Sequence, residues 1–244
     1  MENLVLYILF GAYALLVLLD AAIPARTLPK LPFWRLRGLA FFGLYFWLSS
    51  TLPFLWDEIL ARHRWVDLTH LGVTGGAVVG FLVLELGIYA WHRSLHRSPW
   101  LWRWFHQMHH SSERHDIWSA MIFSPLDMIG FTFIGSLSLV WVVGLVPEAA
   151  LLANLAASLM AFFTHANLRT PRWLGYIVQR PEAHALHHAR GIHRFNYSDL
   201  PVIDMIFGTF RNPKQFPDIQ GFAPGASSRI GAMLLGRDVS SGRR

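Results

Sequence analysis

The chain has 244 residues, 53% of them hydrophobic and only 15% charged, whereas a soluble domain carries about 25% charge; an ordinary water-soluble globule is excluded and a membrane protein is indicated. The formal net charge of +6 lies in loops and tails beside apolar runs, which fits an anionic membrane leaflet better than nucleic acid. Cysteine is absent, which rules out disulfides, thiolate zinc sites and a cysteine nucleophile and leaves the redox compartment undecided.

A membrane span needs about 20 mostly apolar residues. Asn3 to Leu19 is the first such run. It lacks a basic leader segment, and Asp20 interrupts it before any persuasive cleavage site, so a retained anchor is expected. Gly38 to Trp56 is the second run, and Leu68 to Leu84 the third, extended to Trp91 if Glu85 is admitted. Met128 to Pro147 and Ala149 to Leu168 are the fourth and fifth. No Lys or Arg occurs between Arg114 and Arg169, so the last two runs are expected to form a hairpin turning at Pro147 and Glu148. The basic loop from Arg26 to Arg37 is expected on the cytoplasmic side. The N-terminus is then outside, as is the loop from Asp57 to Asp67 despite Arg62 and Arg64. This topology puts His92 to His115, His165 and the C-terminal part together on the cytoplasmic face. Trp91, Trp100, Trp102 and Trp104 fit an interfacial belt there. Residues 1–70 read as anchor spans and 71–213 as the domain that carries the chemistry. Residues 214–244, rich in Gly, Ser and Arg from Asp218 onward, are expected as a mobile tail.

Eight of the 13 histidines fall into three short clusters. They are the pair His92 and His96, the triad His106, His109 and His110, and the triad His184, His187 and His188. On a helix, positions i, i+3 and i+4 share a face, so each triad fans three imidazoles, with the adjacent pair divergent enough to serve neighbouring metals. Together the clusters offer eight nitrogens, more than the roughly four to six donors one ion takes. Two metals are therefore inferred. Imidazole suits Fe, Zn, Cu and Ni, and spacing does not choose among them. His165 ends an apolar span, where a polar group is costly, and is added as a ninth ligand. His193 is left open, while His63, His70 and His115 are read as surface or otherwise satisfied residues. Ligating imidazoles donate their second N–H to an acceptor. Candidate supports are Glu85, two helical turns before His92, and Asn167, Asn196, Asp199 and Asp204.

At these residues the chain resembles the fatty acid hydroxylase/sterol desaturase superfamily of membrane di-iron oxygenases. The resembling segments are Trp91-His-Arg-Ser-Leu-His96, His106-Gln-Met-His-His110-Ser, His165-Ala-Asn167, Pro181-Glu-Ala-His184-Ala-Leu-His-His188, and Asn196-Tyr197 followed by Asp204-Met-Ile-Phe-Gly-Thr-Phe210. The match runs over roughly 81–213. The resemblance implies an all-α fold: four to five membrane helices, including the hairpin, capped by a cytosolic helical domain rich in His. It implies two Fe ions on His92, His96, His106, His109, His110, His184, His187 and His188, with His165 as a further ligand. Recombinant material can carry Zn instead. The implied activity is hydroxylation or desaturation of a lipid C–H bond, in a fatty acyl chain or a sterol for example, with dioxygen and external electrons. No fused cytochrome or flavin domain is read in the chain, so a separate electron-transfer protein is expected, either a b-type cytochrome or a ferredoxin with its reductase. Two departures stand out. The acid ahead of the first pair is usually Asp and is Glu85 here, and Ile122-Phe-Ser-Pro-Leu-Asp127 lacks an Arg and a His common in relatives. Two other readings compete: a di-zinc membrane hydrolase, which lacks an HExxH base here, and a metal-transport or metal-binding membrane protein. Which lipid, which carbon and which oligomeric state are not written in the motifs.

Overall fold

The computed structural model describes residues 1–240. Among them the fold is all-helical, with one isolated bridge between Ala189 and Gln220 and no strand. In chain order the main elements are α1 (Glu2–Ala22), α2 (Trp34–Thr51), α3 (Gly72–Arg97), the short α4 (Gln107–His110), α5 (Pro125–Ser136) and α6 (Pro147–His165). Three short helices follow: α7 (Pro181–His187), α8 (Pro201–Ile206) and α9 (Ile230–Leu234). Five helical segments are long and apolar enough to cross a membrane: α1, α2 carried on to Leu55, α3 with its lead-in from Thr69, α5 carried on to Val142, and α6. The chain is thus a multi-pass membrane protein. Leu4, Tyr7 and Leu18 on α1 and Val78, Leu82 and Leu86 on α3 are exposed, an apolar surface that lipid would cover.

The opposite face of α3 carries Gly76, Gly80 and Leu84, all buried. A Cβ at Gly76 would lie 2.9 Å from Ala149 Cβ, and one at Gly80 would lie 3.4 Å from Ala153 Cβ. Small residues four apart on both helices let α3 and α6 approach closely, which is how membrane helices gain packing without a hydrophobic driving force. Gly76→Leu is expected to force the two apart and cost about 1–3 kcal/mol. A lower thermal midpoint in detergent would show it, and an unchanged midpoint would contradict the packing.

The hairpin between the last two spans turns earlier than expected. α5 continues as a π-helical turn to Val142, and Pro147 is already the first residue of α6. Proline suits that first position because its missing N–H has no helical partner there. The turn itself uses Gly144, at φ 53, where a Cβ would meet Val66 O at 2.5 Å. Backbone N–H groups of Trp65, Val66 and Leu68 donate to the carbonyls of Trp141, Val142 and Val143, so the loop after α2 closes the hairpin's end.

The expected mobile tail is packed as far as it is described. Phe222, Ala226, Met233 and Val239 are buried with Trp34, Met108 and Ile122. Gln107 donates to Arg237 O and accepts from Val239 N. Residues 241–244 of that expected tail lie outside the described part. Where α1, α2, α5 and α6 meet, Tyr13 stacks on Phe42 at 4.5 Å and meets Phe162 at 5.2 Å. This core fixes the spans beneath the cap.

Candidate metal centre

Helix ends bring the histidines together. α3 runs past Trp91 to Arg97, so His92 and His96 ride on its last turns. His106 closes a π-helical turn, Trp102–His106, and α4 then carries His109 and His110. Such turns shift the register of side chains and recur at functional sites. His165 is the last residue of α6, and α7 carries His184 and His187 with His188 just beyond. The result is two groups: His92, His96, His106, His110 and His187 in one, and His109, His165, His184 and His188 in the other. Within each group the candidate ligand atoms lie within 4.8 Å of one another. All nine expected ligands are included. Each triad divides between the groups, with the adjacent pair splitting as its divergence on a helix requires.

The outward nitrogens of most rings have partners. Nδ1 of His92 donates to Tyr197 O at 2.9 Å, that of His187 to Phe195 O at 2.7 Å, and that of His165 to Ala161 O at 2.8 Å. His109 Nδ1 reaches Ile122 O at 3.3 Å, and His106 Nδ1 donates to Asp127 Oδ2 at 2.6 Å. For His184 the partner is Gln179 Oε1 at 2.7 Å. Its identity as the oxygen is fixed because Gln179 Nε2 donates to the carbonyls of Asn196 and Ser198. An imidazole that donates through Nδ1 keeps a lone pair on Nε2. Those lone pairs face inward.

This arrangement fits a cation. Nε2 of His92, His96, His106, His110 and His187 is buried without a protein partner. His109 and His165 bring Nε2 atoms to 3.2 Å of each other, although both rings already donate through Nδ1. Two lone pairs so placed repel each other, and a metal ion resolves that repulsion. Burial, followed by neighbouring imidazoles, holds His106, His109, His110, His184 and His188 well below the usual imidazole range. For His187 burial again dominates. The rings are therefore neutral, the form that ligates metal.

The supports are built from a strained loop. His193, Phe195 and Asn196 all have positive φ, at 40, 71 and 50, a region that is unfavourable for non-glycine residues. The strain aims the carbonyls of Phe195 and Tyr197 at His187 and His92. Asp204 holds the loop by accepting from the N–H groups of Tyr197 and Ser198, and Glu85 by accepting from Ser198 Oγ and Asp199 N. Asn196 spans Ala183 O and Arg211 N. Glu85, Asn196 and Asp204 thus act on the loop, not on a ring, and Asp199 contributes its backbone. Asn167 bonds Arg26 and Asp20 rather than His165, tying the end of α1 to the end of α6.

Two residues near the centre, His115 and Asp127, were not expected there, and a third, His193, had been left open. His115, read as a satisfied or surface residue, is buried and stacks on His165 at 5.0 Å, with both ring nitrogens unpartnered. His193 sits with its Nδ1 3.0 Å from that of His110. Asp127 is fully buried in the first turn of α5. An acid opening an apolar run is costly and calls for a reason, and that was its available signal. His63 and His70 are exposed, as expected. Asp127→Asn is expected to weaken metal binding by about 10- to 100-fold, the usual cost of losing such a partner. Competition with a chelator of known affinity would measure it, and wild-type affinity would contradict the role.

The fatty acid hydroxylase family matches residues 77–209. An ornithine lipid hydroxylase of Rhizobium tropici is 29% identical over 156 residues, 62% of this chain and 46% of the relative. An alkylglycerol monooxygenase of Danio rerio is 30% identical over 138 residues, 54% of this chain and 30% of the relative. A cholesterol 25-hydroxylase of Homo sapiens is 25% identical over 142 residues, 53% of this chain and 49% of the relative. The chain spans about half or less of the length of these relatives. No solved structure matches the chain.

Proposed function

The chain belongs to the fatty acid hydroxylase family, and from that premise we propose that it is a membrane di-iron monooxygenase that hydroxylates a C–H bond of a lipid. The nine histidines of the two groups hold the metals, on the cytoplasmic side of the bilayer. The observation that carries this reading is the set of buried, unpartnered Nε2 atoms in the first group. Two iron ions supply the dioxygen activation that no side chain can perform.

The protein's own residues orient, enclose and shield. The carbonyls of Phe195, Tyr197 and Ala161 and the carboxylate of Asp127 fix which nitrogen of each ring faces inward. On the side of the spans the wall is aromatic. Phe123 stacks on His109 at 4.0 Å and meets Tyr45 and Phe131, each at 5.7 Å. Tyr45 belongs to α2 and Phe131 to α5, so this wall joins the centre to the bilayer. It accepts hydrocarbon and keeps water away from the reacting carbon.

The relatives' names support hydroxylation over desaturation and a lipid as substrate. A hydrolase would need a free carboxylate base among the inward nitrogens. Asp127 instead accepts from His106 Nδ1, on the outward side of its ring. Comparison of lipid extracts from cells with and without the chain tests the proposal. A lipid heavier by one oxygen, absent when His106→Ala replaces the wild type, is expected. Identical lipid profiles would overturn it.

A further inference from the structure

Helix α8, Pro201-Val-Ile-Asp-Met-Ile206, is inside out for a helix in water. Its single acid, Asp204, is 1% exposed, whereas Ile206 is 72% exposed. Val202, Met205 and the following Phe207 are exposed as well. A helix whose outer side faces water carries polar residues there. Beside α8 packs the short turn Arg172–Tyr176, on which Trp173 and Tyr176 are exposed, as is Ile177 just after it. The segments are tied together: Gln179 N donates to Asp199 O at 2.8 Å, Asn212 Nδ2 donates to Arg172 O at 3.0 Å, and the Tyr176 ring lies 5.8 Å from that of Phe210. Large apolar side chains clustered on adjoining segments mark a surface that something covers.

The neighbouring span identifies the cover. Val78, Leu82 and Leu86 follow one another at intervals of four along α3 and are exposed as its lipid-facing stripe. Phe207 stacks at 4.8 Å on Tyr89, three residues beyond Leu86, so α8 meets α3 where that stripe ends. One turn further along, Arg93 donates to Tyr89 Oη at 2.7 Å, as an arginine does at the edge of the hydrocarbon. The border of the patch is basic. Arg169 and Arg172 precede Trp173, and Arg211 follows Phe210. All three are exposed, and none forms an ion pair among the described residues. An apolar face edged by cations is the composition of an element that lies in a membrane interface.

We propose that α8 and the turn Arg172–Tyr176 lie in the bilayer interface beside α3 as an in-plane anchor, and that this contact holds the loop that orients His92 and His187. Asp204 is the link. Its carboxylate accepts from the N–H groups of Tyr197 and Ser198, and its carbonyl from those of Thr209 and Phe210. The carbonyls of Tyr197 and Phe195 in turn accept from His92 and His187. With its outer face in lipid, α8 is fixed from outside, and the positive-φ residues of the loop are kept in place. The anchor rests on the spans and stands whatever reaction the metal centre performs.

The chain has no cysteine, so single labels can be placed without removing any. Ile177→Cys and Ile206→Cys, each carrying a nitroxide, are compared in vesicles of phosphatidylcholine and phosphatidylglycerol with Leu82→Cys on the α3 stripe and Arg190→Cys on the cap. Power-saturation electron paramagnetic resonance reads collisions with dioxygen and with a water-soluble nickel chelate. The labels replacing Ile177 and Ile206 are expected to favour dioxygen, as the one replacing Leu82 does, while the one replacing Arg190 favours the chelate. Chelate access at Ile177→Cys and Ile206→Cys equal to that at Arg190→Cys would overturn the anchor. So would shielding from both probes, which marks a protein contact, with spin–spin broadening if the contact is a second copy. The link to the centre is read in the same vesicles as cobalt(II) affinity. Val202→Glu combined with Ile206→Glu is expected to lower it about tenfold, and Arg190→Glu to leave it unchanged. Wild-type affinity in the double variant, or an equal loss in Arg190→Glu, would overturn the link.

Discussion

His187→Ala is expected to abolish lipid hydroxylation and to release at least one metal per chain. The His187 ring is fully buried, within 4.6 Å of His92 and of His110 and 4.7 Å of His96. Its Nδ1 donates to Phe195 O at 2.7 Å, so the ring also anchors the strained loop. Alanine removes an inward lone pair, leaves that carbonyl without its donor and opens a hole between the other rings. The loss in metal affinity should exceed the roughly hundredfold upper bound for losing an outer partner. Metal analysis after desalting, set beside turnover, measures both effects. Retention of two metals and full activity would remove His187 from the centre.

The second large effect concerns stability. Arg180 precedes α7 and is 1% exposed. Its guanidinium pairs with Glu182 at 3.0 Å and donates to Thr170 Oγ1, Thr170 O, Asn212 Oδ1 and Pro213 O. Glu182 in turn accepts from the N–H and hydroxyl of Thr170. The network clamps α7, and with it His184 and His187, onto the segments after α6 and α8. Arg180→Ala leaves a buried carboxylate without its cation, at a cost of about 3–5 kcal/mol. In a chain of this size that lowers the thermal midpoint by about 6–20 °C. Replacing both partners, as Arg180→Met with Glu182→Leu, should recover much of the loss, since no charge is then stranded. A single variant that unfolds within a degree or two of wild type would contradict the clamp.

The clustering of eight of the nine grouped histidines was legible in the sequence because it obeys helix periodicity, and that of His165 because it ends an apolar span. Three spacings on helix ends suffice to fan imidazoles toward one place, and the same geometry splits each adjacent pair between two groups. The spans were legible from apolar length. Much of what surrounds the centre was not. Carbonyls of Phe195, Tyr197, Ile122 and Ala161 support four of the rings, and a backbone carbonyl leaves no mark in a sequence. Glu85 was identifiable as a costly acid in an apolar run and Asp204 as a candidate support, but their action through the loop depends on positive φ at Phe195 and Asn196, which composition does not announce. His115 lies outside the triad spacing and reaches His165 only through the fold. The tail misled because Gly, Ser and Arg dominate it, while Phe222, Met233 and Val239, spread thinly along it, are enough to anchor it.

The central claim is that two groups of buried imidazoles hold a metal pair that oxidises a lipid with dioxygen. Isotopically labelled dioxygen supplied to the purified, iron-loaded chain with reductant and membrane lipid tests it most directly. The account predicts one labelled oxygen atom in a lipid hydroxyl and about two irons per chain, with both lost in His187→Ala. Label arriving from water instead, or lipid left unlabelled by fully iron-loaded wild-type protein, would contradict it.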